Sequence, residues 1–137
     1  MSTRSLVTDT HPLLHYFCGM HKKLSKNVKR IFDSATANQN TTIYVPATVL
    51  WEISNLIQKG SIVLKPSFED WIKALFDYRT IISHPFDEKT AVLYHHLRFH
   101  SDPFDKAIIA AALQLELPLI TNDSIIHKQK PCLLFWD

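Results

Sequence analysis

The chain alternates short β-prone runs with longer helical segments, and that alternation is what most narrows the folds open to it. The clearest runs are Leu6-Val7-Thr8, Ile43-Tyr44-Val45, Thr80-Ile81-Ile82-Ser83 and Leu119-Ile120-Thr121. The first ends at Asp9-Thr10, and Pro12 follows where a helix can begin. From Ser25 to about Ala37, Val28, Ile31, Phe32 and Ala35 share one helical face while Lys26, Lys29 and Arg30 lie elsewhere. Pro46 opens a helix that carries Val49, Leu50, Ile53, Leu56 and Ile57 until Lys59-Gly60 stops it. Beyond the short apolar segment Ile62-Val63-Leu64, Ser67 can cap a helix containing Phe68, Trp71, Ile72, Leu75 and Phe76. Asp87 or Thr90 opens another helix reaching about Leu97, and a further one runs from Asp102 to about Glu116 before Pro118 breaks the pattern. Leu133-Leu134-Phe135-Trp136 completes the set as an edge or closing strand. Strands separated by helices of this length need crossover connections, so the expectation is an α/β fold with a mostly parallel central sheet and right-handed crossovers.

At 137 residues and 46% hydrophobic content, the chain has the apolar material for one compact domain spanning 1–137. A formal charge of +2 is nearly balanced, so no strong field marks the chain as a bulk nucleic-acid binder. It leaves room for a local RNA contact at the basic cluster of Lys22, Lys23, Lys26, Lys29 and Arg30. Cys18 and Cys132 are far apart with no CxxC spacing, which argues against a disulfide scaffold and for a reducing cytoplasm. The N-terminus is polar and no apolar run is long enough for a bilayer or a signal sequence, so the expectation is a soluble intracellular protein with no membrane role.

The acids have a pattern of their own. In His100-Ser101-Asp102-Pro103-Phe104-Asp105-Lys106, Pro103 suits the first helical position and Asp102 the N-cap. Asp105 then falls on the stripe of Ile108, Ile109 and Ala112, which points a carboxylate toward the core. A capping pair, with Asp105 reaching back to free N–H groups, is the plain structural reading. In open α/β sheets, however, ligands bind beyond the carboxyl ends of the strands, near a topological switch point. Asp9 follows the first strand, Asp123 follows the Leu119 strand, and Asp102 and Asp105 start a helix; Glu52 flanks the Val49, Ile53 and Leu56 stripe and can reach over the same edge. Asp9 and Asp123 also suit turns or caps, and Glu52 suits a helix surface. Gathered in one cleft, these acids would repel one another unless a cation were bound. Oxygen-rich clusters suit Mg²⁺ or Mn²⁺, and the matching chemistry is phosphodiester hydrolysis.

Four segments carry a family resemblance: Leu6-Val7-Thr8-Asp9-Thr10-His11, Pro46-Ala47-Thr48-Val49-Leu50-Trp51-Glu52-Ile53, Asp102-Pro103-Phe104-Asp105-Lys106 and Leu119-Ile120-Thr121-Asn122-Asp123. In order and spacing they resemble the PIN-domain family, and within it the VapC-type ribonuclease toxins. The resemblance implies a PIN-like three-layer α/β/α fold and a cytoplasmic, Mg²⁺- or Mn²⁺-dependent endoribonuclease, often dimeric, held inactive by a VapB-type antitoxin. It implies catalytic and metal-binding roles for Asp9, Glu52, Asp105 and Asp123. Asp102 is similar to an additional acid of an Asp-Pro-Phe-Asp subgroup and would bind metal directly, through water, or only cap the helix. Lys106 stands where that subgroup more usually has arginine, which keeps the charge and loses the bidentate fork. Thr121 or Ser124 is expected to add a hydroxyl contact near Asp123.

Other readings compete. His11 with His15, and His96 with His100, have the four-residue spacing of a zinc-binding helix face, but neither pair forms HExxH and no third ligand is evident. His11, beside the Asp9 turn, can instead touch a substrate phosphate. Trp51, Phe68, Trp71 and Phe76 read as core, or as a groove for an amphipathic antitoxin segment. A non-catalytic PIN-like module that binds RNA or protein is the alternative function, and a phosphatase or DNA nuclease would use similar carboxylates.

Overall fold

The computed structural model describes residues 3–137. The first strand, β1 (Arg4–Thr8), passes at Asp9 into α1 (Thr10–Phe17); a 3₁₀ turn (His21–Lys23) leads to α2 (Lys26–Thr36). Then follow β2 (Thr41–Pro46), α3 (Ala47–Gln58), α4 (Phe68–Asp77), β3 (Ile81–His84), α5 (Glu88–His96), α6 (Pro103–Leu115), β4 (Leu119–Ile120), α7 (Ser124–Gln129) and β5 (Leu134–Phe135). The strands form one sheet in the order β3-β2-β1-β4-β5, and every pairing is parallel. Connections from β1 to β2 to β3 step one way along the sheet, and the β3-to-β4 connection steps back. With right-handed crossovers, that reversal puts helices on both faces and makes a three-layer α/β fold. The switch lies between β1 and β4, where a crevice opens beyond the strand ends.

Local chemistry explains most element ends. Ser25 and Ser67 cap α2 and α4 by accepting from the third residue beyond, Val28 and Asp70. Asp87 and Thr90, alternatives as openers of α5, act together in a reciprocal capping box. Helix α1 begins at Thr10, two residues before Pro12, because the Asp9 carboxylate accepts from the Thr10 N–H and starts the helix itself. Gly60 ends α3 with a φ of +76°, a conformation that suits glycine. The Ile62-Val63-Leu64 segment forms neither helix nor strand, and Val63 is exposed.

Helices cover both sheet faces, so β4 and the second half of β1 are buried without alternation, while β2 alternates buried and half-buried positions. Leu6, Val7, Ile43, Val45, Leu119 and Ile120 are almost fully buried, and Phe32, Val49, Ile53, Ile108 and Ile109 close over them. Helix α6 packs on α5, α3 and β1, which brings its N-terminus toward the crevice. Cys18 and Cys132 are free thiols. Among the described residues no helix is long and apolar enough to cross a membrane.

Ile108, at 0% exposure, is the packing test for α6. Ile108→Ala is expected to lower the unfolding free energy by about 3 kcal/mol in urea titration, with an unchanged m-value.

Candidate active site

Asp9 is 5% exposed, yet both its carboxylate oxygens are occupied. Oδ1 accepts from the Thr10 N–H at 2.8 Å, and Oδ2 accepts from the Thr121 hydroxyl at 2.7 Å. Burial raises its pKa, and these two hydrogen bonds act in the opposite direction. The same Thr121 oxygen accepts from the Asp123 N–H at 3.1 Å, so one hydroxyl ties the end of β1 to the end of β4. On the other side, the Thr10 hydroxyl donates to Glu52 Oε1 and draws α3 over the crevice. Burial is the main cause of the raised Glu52 pKa.

Asp123 caps α7, its Oδ1 accepting from the N–H groups of Ile125 and Ile126 at 2.9 and 3.0 Å. Asp102 caps α6 from an exposed position, accepting from Phe104 N–H at 2.7 Å. Asp105 does not reach back to complete a capping pair: among the described residues, no hydrogen bond is made to its half-buried carboxylate. Its pKa is pushed up to about 8, first by burial and then by the charges of Asp9, Asp123, Asp102 and Glu52. Four of the acids, from the other three segments and from its own helix cap, thus act on the fifth.

Asp9, Glu52, Asp102, Asp105 and Asp123 line one cleft of about 380 Å³. Sequence reasoning did not assign Asn122, Lys23 or Trp136 to it, although Asn122 adjoins Asp123 and could have been found by adjacency. Of the two hydroxyl candidates, Thr121 makes the contact. Lys106 is absent from the lining; its ammonium lies over the Tyr94 ring, 4.5 Å from the centroid. His11 and His15 do enter the cleft, whereas α5 ends at His96 and His100 lies beyond it on no shared helical face. Trp51 is 62% exposed rather than core, its ring 4.8 Å from Phe104, because Val49 and Ile53 take the inward positions of α3.

The donors fit a hard divalent cation in chemical type, since all are oxygens and Asp105 is free of protein hydrogen bonds. Among the described residues no three acid, histidine or cysteine side chains are gathered tightly enough to make a ready cation cage. An open, partly hydrated site of one or two direct carboxylates is the arrangement Mg²⁺ ordinarily takes.

A parallel sheet with its switch-point crevice lined by acids from four segments defines a class of three-layer α/β domains with a carboxylate site at the strand ends. The PIN domain family model matches residues 6–130, and the chain belongs to the PIN-domain family. PIN-domain nucleases generally use divalent metal ions. The fold is similar to a chain of the VapBC2 complex of Rickettsia felis bound to a promoter DNA fragment, with TM-score 0.68 and 18% identity over 97% of this chain and 99% of that one. It is also similar to chains of DNA-bound VapBC from Salmonella typhimurium (TM-score 0.64, 15% identity, 97% of each chain) and of a toxin–antitoxin complex from Klebsiella pneumoniae (TM-score 0.62, 15% identity, 93% and 95%). No curated protein sequence is significantly similar to the chain.

A carboxyl group whose folded pKa is above its unfolded value takes up a proton on folding between those two values, so stability falls as pH rises through that window. For Asp105 the window runs from the ordinary carboxylate range up to about 8. In EDTA, the melting temperature is therefore expected to decline from pH 5 to pH 8, and Asp105→Asn is expected to flatten that decline and melt higher than the parent at pH 8. Calorimetry across this range checks both.

Proposed function

We propose that this protein is a Mg²⁺- or Mn²⁺-dependent endoribonuclease that hydrolyses RNA phosphodiester bonds in the cytoplasm and is held inactive by a VapB-type antitoxin. The observation that carries the reading is the convergence of Asp9, Glu52, Asp102 and Asp123 on Asp105, whose carboxyl accepts no hydrogen bond among the described residues. In this reading Asp9, Asp105, Asp123 and Glu52 hold the cation, one or two of them directly and the others through water, and Asp102 contributes directly or through water while capping α6. When bound, the cation supplies polarisation of a phosphodiester oxygen and a lowered pKa for attacking water. The protein's own part is positioning. Thr121 and the Thr10 N–H fix both oxygens of Asp9, the Thr10 hydroxyl fixes Glu52, and the N-cap bonds of α7 fix Asp123. With its pKa pushed up to about 8, Asp105 would hold a proton near neutral pH, and a bound cation would favour its charged form.

An antitoxin partner is supported by the fold's likeness to chains of VapBC and other toxin–antitoxin complexes. A surface suited to such a partner lies beside the acids: an apolar groove of about 690 Å³ lined from α3, α5 and α6, with Trp51, Phe86, Tyr94 and Phe104 in its lining. Trp51 adjoins Glu52 and Phe104 adjoins Asp105, so a segment in this groove could extend a basic side chain to the carboxylates. The same reading makes the antitoxin-free protein a homodimer of 15.8 kDa chains, a mass that light scattering reads directly.

Purified protein freed of antitoxin is expected to cut a pool of structured RNAs with Mg²⁺ or Mn²⁺ and not with EDTA. Asp9→Asn and Asp105→Asn should each lose at least about a hundredfold in rate, the upper end of what outer-shell changes around a metal cost. Cutting of matched single-stranded DNA alone would make it a DNA nuclease. No cutting by folded protein would leave a binding module. Independently of turnover, Mg²⁺ should raise the melting temperature more at pH 8.5 than at pH 6, because proton release opposes binding below the Asp105 pKa, and the increment should shrink in Asp105→Asn.

A further inference from the structure

The cleft that holds the carboxylates is also lined by groups a cation does not need: His11 and His15 from α1, Lys23 from the 3₁₀ turn, and Trp136 after β5. His11 and His15 are one helical turn apart, with ring centroids 6.0 Å from each other. Lys23 is exposed, and among the described residues no carboxylate pairs with it; the ion pair present is Lys29 with Asp33. Lys22 on the same 3₁₀ turn, and Lys26 and Arg30 on α2, are exposed members of the basic cluster noted in the sequence and lie outside the cleft lining. Trp136 is held from two sides. It packs partly on the core, and the Asp137 carboxylate next to it accepts from the Asn27 side chain of α2 at 2.5 Å. Among the described residues its ring stacks on no other aromatic group.

Five carboxylates repel a polyanion, and one cation offsets that only at the phosphate it touches. A neighbouring phosphate of the same strand needs its own positive contact. A Lys and an aromatic side chain lining the same cleft can meet both parts of what an unpaired nucleotide offers, its phosphate charge and its base plane. We propose that Lys23, His15 and Trp136 form a subsite for one nucleotide next to the scissile phosphodiester of single-stranded RNA, with Lys23 and His15 on its phosphate and Trp136 stacked on its base. Lys22, Lys26 and Arg30 extend the phosphate track along the 3₁₀ turn and α2. The subsite rests on the nuclease reading above and adds to it the strandedness of the substrate. A duplex cannot present a free base face to Trp136, so RNA is gripped there at a loop, bulge or end.

The test is fluorescence anisotropy of a labelled eight-nucleotide single-stranded RNA with full-length Asp105→Asn protein in Mg²⁺, between 50 and 200 mM KCl. In that background, Lys23→Ala is expected to weaken binding about fivefold at low salt and to reduce the slope of log affinity against log salt by about 0.7, the value for one phosphate contact on a single strand. Trp136→Ala should weaken binding about tenfold with the slope unchanged, and Trp136→Phe should restore most of the loss. Lys89→Ala, on α5 and outside the cleft, serves as the charge control. Lys23 is exposed, so its variant carries the test even if Trp136→Ala fails to fold. If Lys23→Ala binds as the parent does with an unchanged salt slope, or a folded Trp136→Ala binds as the parent does, the subsite is overturned while the nuclease reading stands. If wild-type protein neither binds nor cuts the RNA, both are overturned.

Discussion

The hydrogen bond from the Thr121 hydroxyl to the buried Asp9 carboxylate is the contact on which the site depends. It joins residues 112 positions apart and spans the switch point between β1 and β4. The bonded chain extends to both sides, from Glu52 through the Thr10 hydroxyl and the Thr10 backbone to Asp9, then through Thr121 to the Asp123 N–H. Three acids from three segments are thereby held without any of them pairing to a basic side chain. A buried carboxylate with both oxygens satisfied tolerates burial far better than a bare one, which is why Asp9 can sit at 5% exposure.

Asp105 is the counterpart of that arrangement. It rides half-buried on α6 into the field of the other four acids and, among the described residues, receives no hydrogen bond; burial first and those charges second push its pKa up to about 8. The cleft therefore stores electrostatic repulsion in one group, and any ligand that brings positive charge relieves it. A cation, a basic side chain of an antitoxin, or a proton can each do so, and they compete. The proposed control by a partner and the proposed chemistry with a metal then draw on the same physical source. In the proposed subsite, Lys23, His15 and Trp136 would meet the remaining need of a polyanionic substrate, which is a hold outside the acid field.

Much of this was legible in residue order. The capping serines, the Asp87–Thr90 box and Asp102 with Pro103 act within three residues of themselves, so short-range chemistry reveals them. The five acids were identifiable because a parallel α/β pattern sends its strand ends to one edge. Three things were not. Trp51 looked like core because it is apolar, but its angle on α3 relative to Val49 and Ile53 turns it outward. Lys106 keeps the charge of the more usual arginine, but its ammonium lies over the Tyr94 ring of α5 and outside the cleft lining. Trp136 carried no local signal, because only the pairing of β5 with β4 and the Asn27–Asp137 bond bring it to the cleft.

The sequence by itself determined the alternation of strand and helix, the caps that start the helices, and which acids end up near strand ends. Each of those depends on hydrogen bonds or apolar periodicity within a turn or two of the chain. Only the tertiary structure decided that Asp9 shares Thr121 with Asp123, that Thr10 holds Glu52, and that Asp105 stays unpaired among four other carboxylates. These contacts join segments 42 to 112 residues apart. Their geometry, and with it the proton affinity of the site, is set by how the sheet orders its strands and how α3 and α6 pack across their ends.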